Sequence, residues 1–243
     1  MTATRGDGLL LAIDTSRSRT VLALGTSDGT LLAADTWEAG HRHVEELLPR
    51  LDAFLEGRGL DRGALARLSG IIVGTGPGAF TGLRVGIATA KALAVSFGRP
   101  LAAIGSGAAL LAAAAAADPS TDPARLVLLM PAGPTARYVV TAAGTRLVTG
   151  DGLPDGSLEA TTVAVDLAGR APEAAVARGR AATDRFPGML LRLGAARIAA
   201  GGADDPAQIV PEYVSLPRGA VGAVGAVGAA DAEVVTTWSP ARP

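Results

Sequence analysis

Hydrophobic and polar positions along the first forty residues follow the short period of β-strands. Three runs rich in aliphatic and β-branched residues predict strands, at Leu9 to Ile13, Thr20 to Thr26 and Thr30 to Trp37. Asp28 and Gly29 lie between the last two runs and predict a hairpin turn. The chain therefore begins as a small antiparallel sheet.

The spacing of apolar residues then changes to that of a helix, from His43 to Glu56. Pro49 interrupts the pattern, so this helix is expected to bend or to begin later than the stripe suggests. The apolar stripe comprises Val44, Leu47, Leu48, Leu51, Phe54 and Leu55.

A strand from Gly70 to Gly74, a glycine-rich turn and a long helix beginning near Thr81 follow. Small residues recur four apart in that helix, and two glycines inside a helix each cost about 1 kcal/mol relative to alanine. A ridge with so little side chain indicates close approach by another element, which is either a partner helix or the protein's own sheet. The ridge comprises Gly82, Gly86, Ala90 and Ala94, and Leu83 and Ile87 flank it.

Further apolar runs predict a second group of elements, less sharply than the first. They are strands at Leu101 to Ile104, Leu126 to Met130, Tyr138 to Ala142 and Thr162 to Asp166, and a helix at Met189 to Ala200. Strands interleaved with helices predict an α/β fold. The tail after residue 216 is a low-complexity glycine repeat that is expected to be disordered.

The glycine turn invites comparison with phosphate-binding loops. A P-loop requires Lys and Ser or Thr after its last glycine, whereas Ala79 and Phe80 follow Gly78 here. The dinucleotide fingerprint requires an acidic residue about twenty positions on, and residues 91–106 contain none. Asp14, Gly76 and Gly78 are therefore weak cofactor-binding candidates, and Asp14 is better explained as an acceptor of backbone hydrogen bonds in its turn.

Composition excludes several classes of function. The 243 residues carry 22 basic and 23 acidic side chains and only 3% aromatic residues, which does not favour direct nucleic-acid binding. There are no cysteines and only two histidines, His41 and His43, which are expected to be solvent-exposed or capping residues rather than metal ligands. No catalytic residue, cofactor or metal is predicted.

Location is a further expectation from the sequence. The uncharged stretch from Pro100 to Ala117 reaches the lower length limit of a membrane span, but its alanine content favours a packed helix. Leu9 to Ile13 is too short for a signal-peptide core. A cytoplasmic protein with no membrane partner is expected.

Several motifs together resemble the TsaB (YeaZ) family, whose members are non-catalytic partners of TsaD in making threonylcarbamoyladenosine in tRNA. The similarity spans about residues 15 to 215 and is densest up to residue 106. The motifs are IDTS at Ile13 to Ser16, HVEELLP at His43 to Pro49, GPGAFTGLRVG at Gly76 to Gly86, AKALA at Ala90 to Ala94 and PEYV at Pro211 to Val214.

This resemblance implies an actin-like ATPase (ASKHA) fold without working ATP machinery. It implies two lobes, 8–106 and 107–216, each with a mixed β-sheet flanked by helices, and a tail at 217–243. It also implies that the two marked helices contact TsaD or a second copy of the chain, that TsaE joins the complex, and that tRNA is contacted only through the complex. The expected interface residues are Val44, Leu47, Leu48, Leu51, Gly82, Leu83, Gly86, Ile87 and Ala90.

Two functions are therefore under consideration. The first is a scaffold subunit that binds TsaD, with TsaE, for threonylcarbamoylation of adenosine 37 in tRNA. The second is an actin-like phosphotransferase or ATPase that uses Asp14 and the Gly74–Gly78 turn.

Overall fold

The computed structural model describes residues 8–60, 65, 67–150 and 162–214. Within them the chain forms two compact units. Unit 1 contains the residues up to Ala109 together with Arg185–Glu212, and unit 2 contains Leu110–Asp184 and the residues from Tyr213 onward. The expected division at residues 106 and 216 differs from this one, because residues 185–212 group with the first unit. The predicted tail at 217–243 lies outside the described residues.

Unit 1 is built on a five-stranded mixed sheet of order β3-β2-β1-β4-β5. The strand β1 pairs antiparallel with β2 and parallel with β4, and β4 pairs parallel with β5. The central strands are nearly uniformly apolar because both of their faces are covered. The strands are β1 Leu9–Asp14, β2 Arg19–Thr26, β3 Leu31–Glu38, β4 Leu68–Gly74 and β5 Leu101–Ile104.

Two helices, α1 His43–Glu56 and α2 Phe80–Phe97, pack against each other and against this sheet. The expected later start of α1 is not observed: the helix begins at His43, because the Arg42 carbonyl accepts the N–H groups of Glu45 and Glu46. Helix α2 begins at Phe80, one residue earlier than expected, with Ala79 as its N-cap, and Gly98 ends it at φ 59°.

By length and composition, α2 could cross a membrane. Its buried residues, however, lie against β4 and β1, which explains its apolar character as that of a core helix. The buried core of unit 1 includes Leu11, Ile13, Leu22, Leu47, Leu51, Phe54, Ile71, Val73, Ile87 and Ala90.

Two further helices, α3 Ser106–Ala117 and α4 Glu173–Ala199, each cross the boundary between the units. The second half of α4 belongs to unit 1 because its small residues permit close contact with the sheet. A Cβ at Gly194 would overlap Ile72 of β4. Phe186 is fully buried, and the Arg17 Cζ atom lies over its ring, 5.4 Å from the ring centroid. Helix α4 begins sixteen residues before the predicted Met189. The apolar stripe of that early part consists mostly of alanine, which gives a weak periodic signal.

Unit 2 contains a four-stranded sheet of order β8-β7-β6-β9. The strands β6, β7 and β9 lie within two residues of their predicted starts, whereas β8 was not predicted because its exposed Arg146, Leu147 and Thr149 give it little alternation. The strands are β6 Val127–Pro131, β7 Ala136–Thr141, β8 Gly144–Thr149 and β9 Thr162–Ala164.

Candidate functional site

The carboxyl ends of three parallel strands in unit 1 meet at one edge of the sheet. The strand β1 ends at Asp14, β4 ends at Gly74, and β5 is followed by Ser106 at the start of α3. Ligand-binding residues collect at this edge in parallel α/β sheets. The three weak cofactor candidates, Asp14, Gly76 and Gly78, all lie at this edge. A cofactor could bind here if the edge left space for it and hydrogen-bond donors that the protein does not already use.

Asp14 lies at the centre of a closed hydrogen-bond network. It is fully buried, and its Oδ1 accepts the Ser16 backbone N–H at 3.0 Å and the Ser16 hydroxyl at 2.7 Å. Its Oδ2 accepts the Ser106 hydroxyl at 2.5 Å, and Ser106 Oγ in turn accepts the Gly76 N–H at 3.0 Å. The bond from the Ser16 N–H is the structural role considered for Asp14 from the sequence, and the link through Ser106 to the other two strand ends is an addition that the structure makes.

The glycine turn packs against the segment after β1 instead of leaving a cradle. The Ala79 N–H donates to the Ser16 carbonyl at 2.7 Å, and a Cβ at Gly78 would overlap that same carbonyl. A Cβ at Gly74 would overlap the Asp14 carboxylate. The nucleotide and metal that an actin-like ATPase fold implies do not fit these residues, because protein atoms already fill the space and use the donors.

The small-residue ridge of α2 faces inward. A Cβ at Gly82 would overlap the Thr15 carbonyl and lie 2.7 Å from the His43 ring, and one at Gly86 would overlap the Thr15 hydroxyl. That hydroxyl donates to the Gly82 carbonyl at 2.7 Å. The ridge therefore packs within unit 1, which corrects the expectation that it meets a partner. The buried members of the expected interface are Leu47, Leu51, Gly82, Leu83, Gly86, Ile87 and Ala90.

His43, the first residue of α1, also packs beside Gly82 of α2. Its side chain is buried, contrary to the expectation of a solvent-exposed or capping histidine, and its Nε2 lies 3.0 Å from the Arg17 carbonyl oxygen. Burial lowers the pKa of His43 below its usual value because charging the ring costs solvation. His43, Ser16 and Ser106 were missed as site residues. The positions of Ser16 and Ser106 beside the ends of parallel strands were a usable signal.

The outer faces of α1 and α2 expose apolar and small side chains. On α1, Val44 is 64% exposed and Leu48, one turn later, is 55% exposed. On α2, Val95 is 70% exposed, and Ala88 and Ala92 on the same side of the helix are also exposed. Of the expected interface residues, Val44 and Leu48 are the two that a partner could reach.

Comparisons with known proteins identify relatives of the chain. The family model described as TsaD, tRNA N6-adenosine threonylcarbamoyltransferase, matches residues 37–187. A tRNA N6-adenosine threonylcarbamoyltransferase of Sphingopyxis alaskensis is 31% identical over 151 residues, which cover 56% of this chain and 43% of that protein. The tRNA threonylcarbamoyladenosine biosynthesis protein TsaB of Bacillus subtilis is 35% identical over 97 residues, covering 40% and 41%. The chain spans less than half the length of the curated relatives it matches.

A solved structure is similar over most of the chain. YeaZ from Pseudomonas aeruginosa superposes with a TM-score of 0.61 and 23% identity, covering 85% of this chain and 99% of that one. This similarity confirms the fold class expected from the sequence, an actin-like α/β fold with two mixed sheets flanked by helices.

Proposed function

The chain belongs to the TsaD family of tRNA N6-adenosine threonylcarbamoyltransferases and is identified as a TsaB (YeaZ) member of it; from this premise we propose that it is a non-catalytic subunit that binds TsaD. In this role it holds TsaD competent to threonylcarbamoylate adenosine 37 of tRNA in the cytoplasm. TsaE is the further protein partner, and tRNA is contacted through the complex. The nearly balanced charge of the chain supports indirect contact with RNA.

The observation that carries this proposal is the apolar outer face of α1, formed by Val44 and Leu48. Exposed aliphatic side chains on one face of a helix are typical of surfaces that another protein covers. We call this pair, together with Ala88, Ala92 and Val95 of α2, the outer face. Each helix supplies apolar area, and the small alanines permit a partner helix to approach closely.

A non-catalytic role is supported by the hydrogen bonds at the ends of β1, β4 and β5, which occupy the Asp14 carboxylate. Asp14, Ser16 and Ser106 bond to one another, so the best-placed carboxylate of the chain is already used in holding the fold. His43 is buried against the Arg17 carbonyl and is not arranged as a base or a metal ligand. No observation among the described residues favours the alternative of a phosphotransferase or ATPase.

The test is binding of TsaD by variants of the outer face. Leu48→Glu and Val44→Glu each place a charge where apolar contact is proposed, and each is expected to weaken binding by about a hundredfold, as for a central interface residue. Leu32→Glu is the matched control, because Leu32 is 54% exposed on the edge strand β3, and it is expected to bind as the wild type does.

Calorimetry with purified TsaD measures the affinities, and thermal unfolding checks that each variant is folded. Equal binding by wild type and both α1 variants would refute the proposed surface. Light scattering of the isolated chain tests the second occupant considered from the sequence, another copy of the chain. If both α1 variants convert a dimer to a monomer without changing TsaD binding, the surface serves self-association instead.

A further inference from the structure

Helix α2 contains the only lysine of the chain, Lys91, beside the outer face. Lys91 follows the exposed Ala88 by three residues and precedes the exposed Val95 by four, so all three share one side of the helix. The residue is half-buried, although lysine is among the residue types most often found exposed. A single ammonium group therefore lies close to the apolar surface that the proposed partner covers.

The described part of the chain supplies no counter-charge for Lys91. Its side chain forms no ion pair or hydrogen bond with any described residue. Helix α2 contains no acidic residue, so a pair within the helix is impossible. Lys91 also lies more than one turn before the end of α2, outside the last turn in which the helix dipole favours a cation.

A partner that covers Val44, Leu48 and Val95 also removes water from around Lys91. Desolvation of a charge without a counter-ion is costly, and an ammonium group has only donors to offer. A carboxylate from the partner restores both the opposite charge and the hydrogen-bond acceptor. The position of Lys91 thus indicates the chemistry of the surface that lies against α2.

We propose that Lys91 forms an ion pair with a carboxylate of TsaD and that this pair helps to select TsaD as the partner. The inference rests on the proposed function, because it takes TsaD as the protein that covers the outer face. An apolar face alone accepts any surface of suitable shape, whereas a cation beside it rejects a surface with a cation at the same place. Lys91 is therefore a specificity-determining residue.

The first test is calorimetry with purified TsaD. Lys91→Glu reverses the charge and is expected to weaken binding by about tenfold to a hundredfold, because it places two carboxylates together. Lys91→Arg keeps the charge and should bind within about threefold of the wild type. Arg192→Glu, at an exposed position of α4, makes the same change in net charge and is the matched control, with an expected change of less than about twofold.

The salt dependence of binding separates the charge of Lys91 from its packing. Lys91→Met keeps an apolar stem and removes the ammonium group. Raising the ionic strength from about 0.05 M to about 0.5 M should weaken binding of the wild type more than binding of Lys91→Met, because salt screens the ion pair. An equal loss in both proteins would show that Lys91 contributes no charge interaction.

Carbodiimide cross-linking identifies the partner group, since it joins a carboxylate to a nearby amine through an amide bond. Lys91 is the only lysine, so mass spectrometry of the complex should show it linked to an Asp or Glu of TsaD. The matched control is the double variant Lys91→Arg, Arg192→Lys, which moves the one lysine to α4. That lysine should give no link to TsaD.

Thermal unfolding checks that each variant is folded, and Lys91→Met with the cross-link decides the matter if Lys91→Glu is not. Wild-type affinity of Lys91→Glu, or a complex that yields no Lys91 cross-link, would overturn the ion pair. If Leu48→Glu abolishes binding while Lys91→Glu does not change it, only this inference fails and the proposed function stands. Undetectable binding of TsaD by the wild type would refute both.

Discussion

Helices α1 and α2 each have an inner and an outer side. Both sides carry small or apolar residues in the sequence, but the inner side is buried in the fold and the outer side is exposed. Gly82 and Gly86 are small because Thr15 and His43 occupy the space where a side chain would lie. Val44 and Leu48 share the apolar stripe of Leu47 and Leu51 but remain exposed. A ridge of small residues thus indicates that another part of a structure packs closely against it. The contacts in the fold are needed to identify that neighbour, which here is Thr15 and His43 of the same chain.

The largest expected difference between the two sides is between neighbouring leucines. Leu47→Ala removes a fully buried side chain from the core of unit 1 and should lower the free energy of unfolding by about 2–5 kcal/mol. Leu48→Ala on the outer side should change it by less than about 0.5 kcal/mol. Urea denaturation of both variants measures this, and equal losses would show that the two sides are not distinct.

Gly82→Ala tests the close contact at the inner side. Helix propensity alone predicts a gain of about 1 kcal/mol, but the added methyl overlaps the Thr15 backbone carbonyl, so a loss of about 2–3 kcal/mol is expected. The sign of the change in urea denaturation is therefore decisive. Ala88→Gly on the outer side is the control, with a loss of about 1 kcal/mol from propensity. A stabilised Gly82→Ala variant would contradict the packing described.

Asp14→Ala distinguishes a structural role of the Asp14 carboxylate from a role as a magnesium ligand. Removal of the acceptor leaves Ser16 and Ser106 without their buried partner, and a loss of about 1–3 kcal/mol in unfolding free energy is expected. Calorimetry with ATP and magnesium should show no tight binding by the wild type. Glu45→Ala, at an exposed position on α1, is the control for stability. Tight nucleotide binding that Asp14→Ala abolishes would restore the phosphotransferase alternative.

The smallest effect is a pH dependence that arises at the inner side. Burial lowers the pKa of His43 in the folded chain, whereas the unfolded chain keeps a value near 6.5 and binds the proton more readily. Stability should therefore be fully present above pH 6.5 and fall as the pH drops below that value, by at most about 1.4 kcal/mol per pH unit.

Urea denaturation at several pH values between 7.5 and 5.5 measures this slope. His43→Gln should flatten it, while the exposed His41→Gln should leave it unchanged. An identical slope in all three proteins would show that His43 does not contribute.

The helices and strands of the first half of the chain were well predicted because their apolar residues recur at clear strand or helix spacings. The bounds of β5 match the prediction, and β1, β2 and β3 are within a residue or so at each end. Helix α1 spans the whole predicted stripe, without the later start that Pro49 suggested. In the second half, β8 and the start of α4 were missed, since alanine and exposed polar residues give weak alternation. The candidate site was predicted in part: Asp14 and the glycine turn do meet, but as a closed network that includes Ser16 and Ser106.

The sequence by itself determined the α/β class, most elements of unit 1, the likeness to TsaB and the fact that α2 must be approached closely. Tertiary structure decided which neighbour makes that approach, that residues 185–212 join unit 1, and that Val44 and Leu48 remain exposed. The physical reason is that periodicity reports which side chains share a face of one element. Whether that face is covered depends on contacts between residues distant in the chain, such as Thr15 with Gly82.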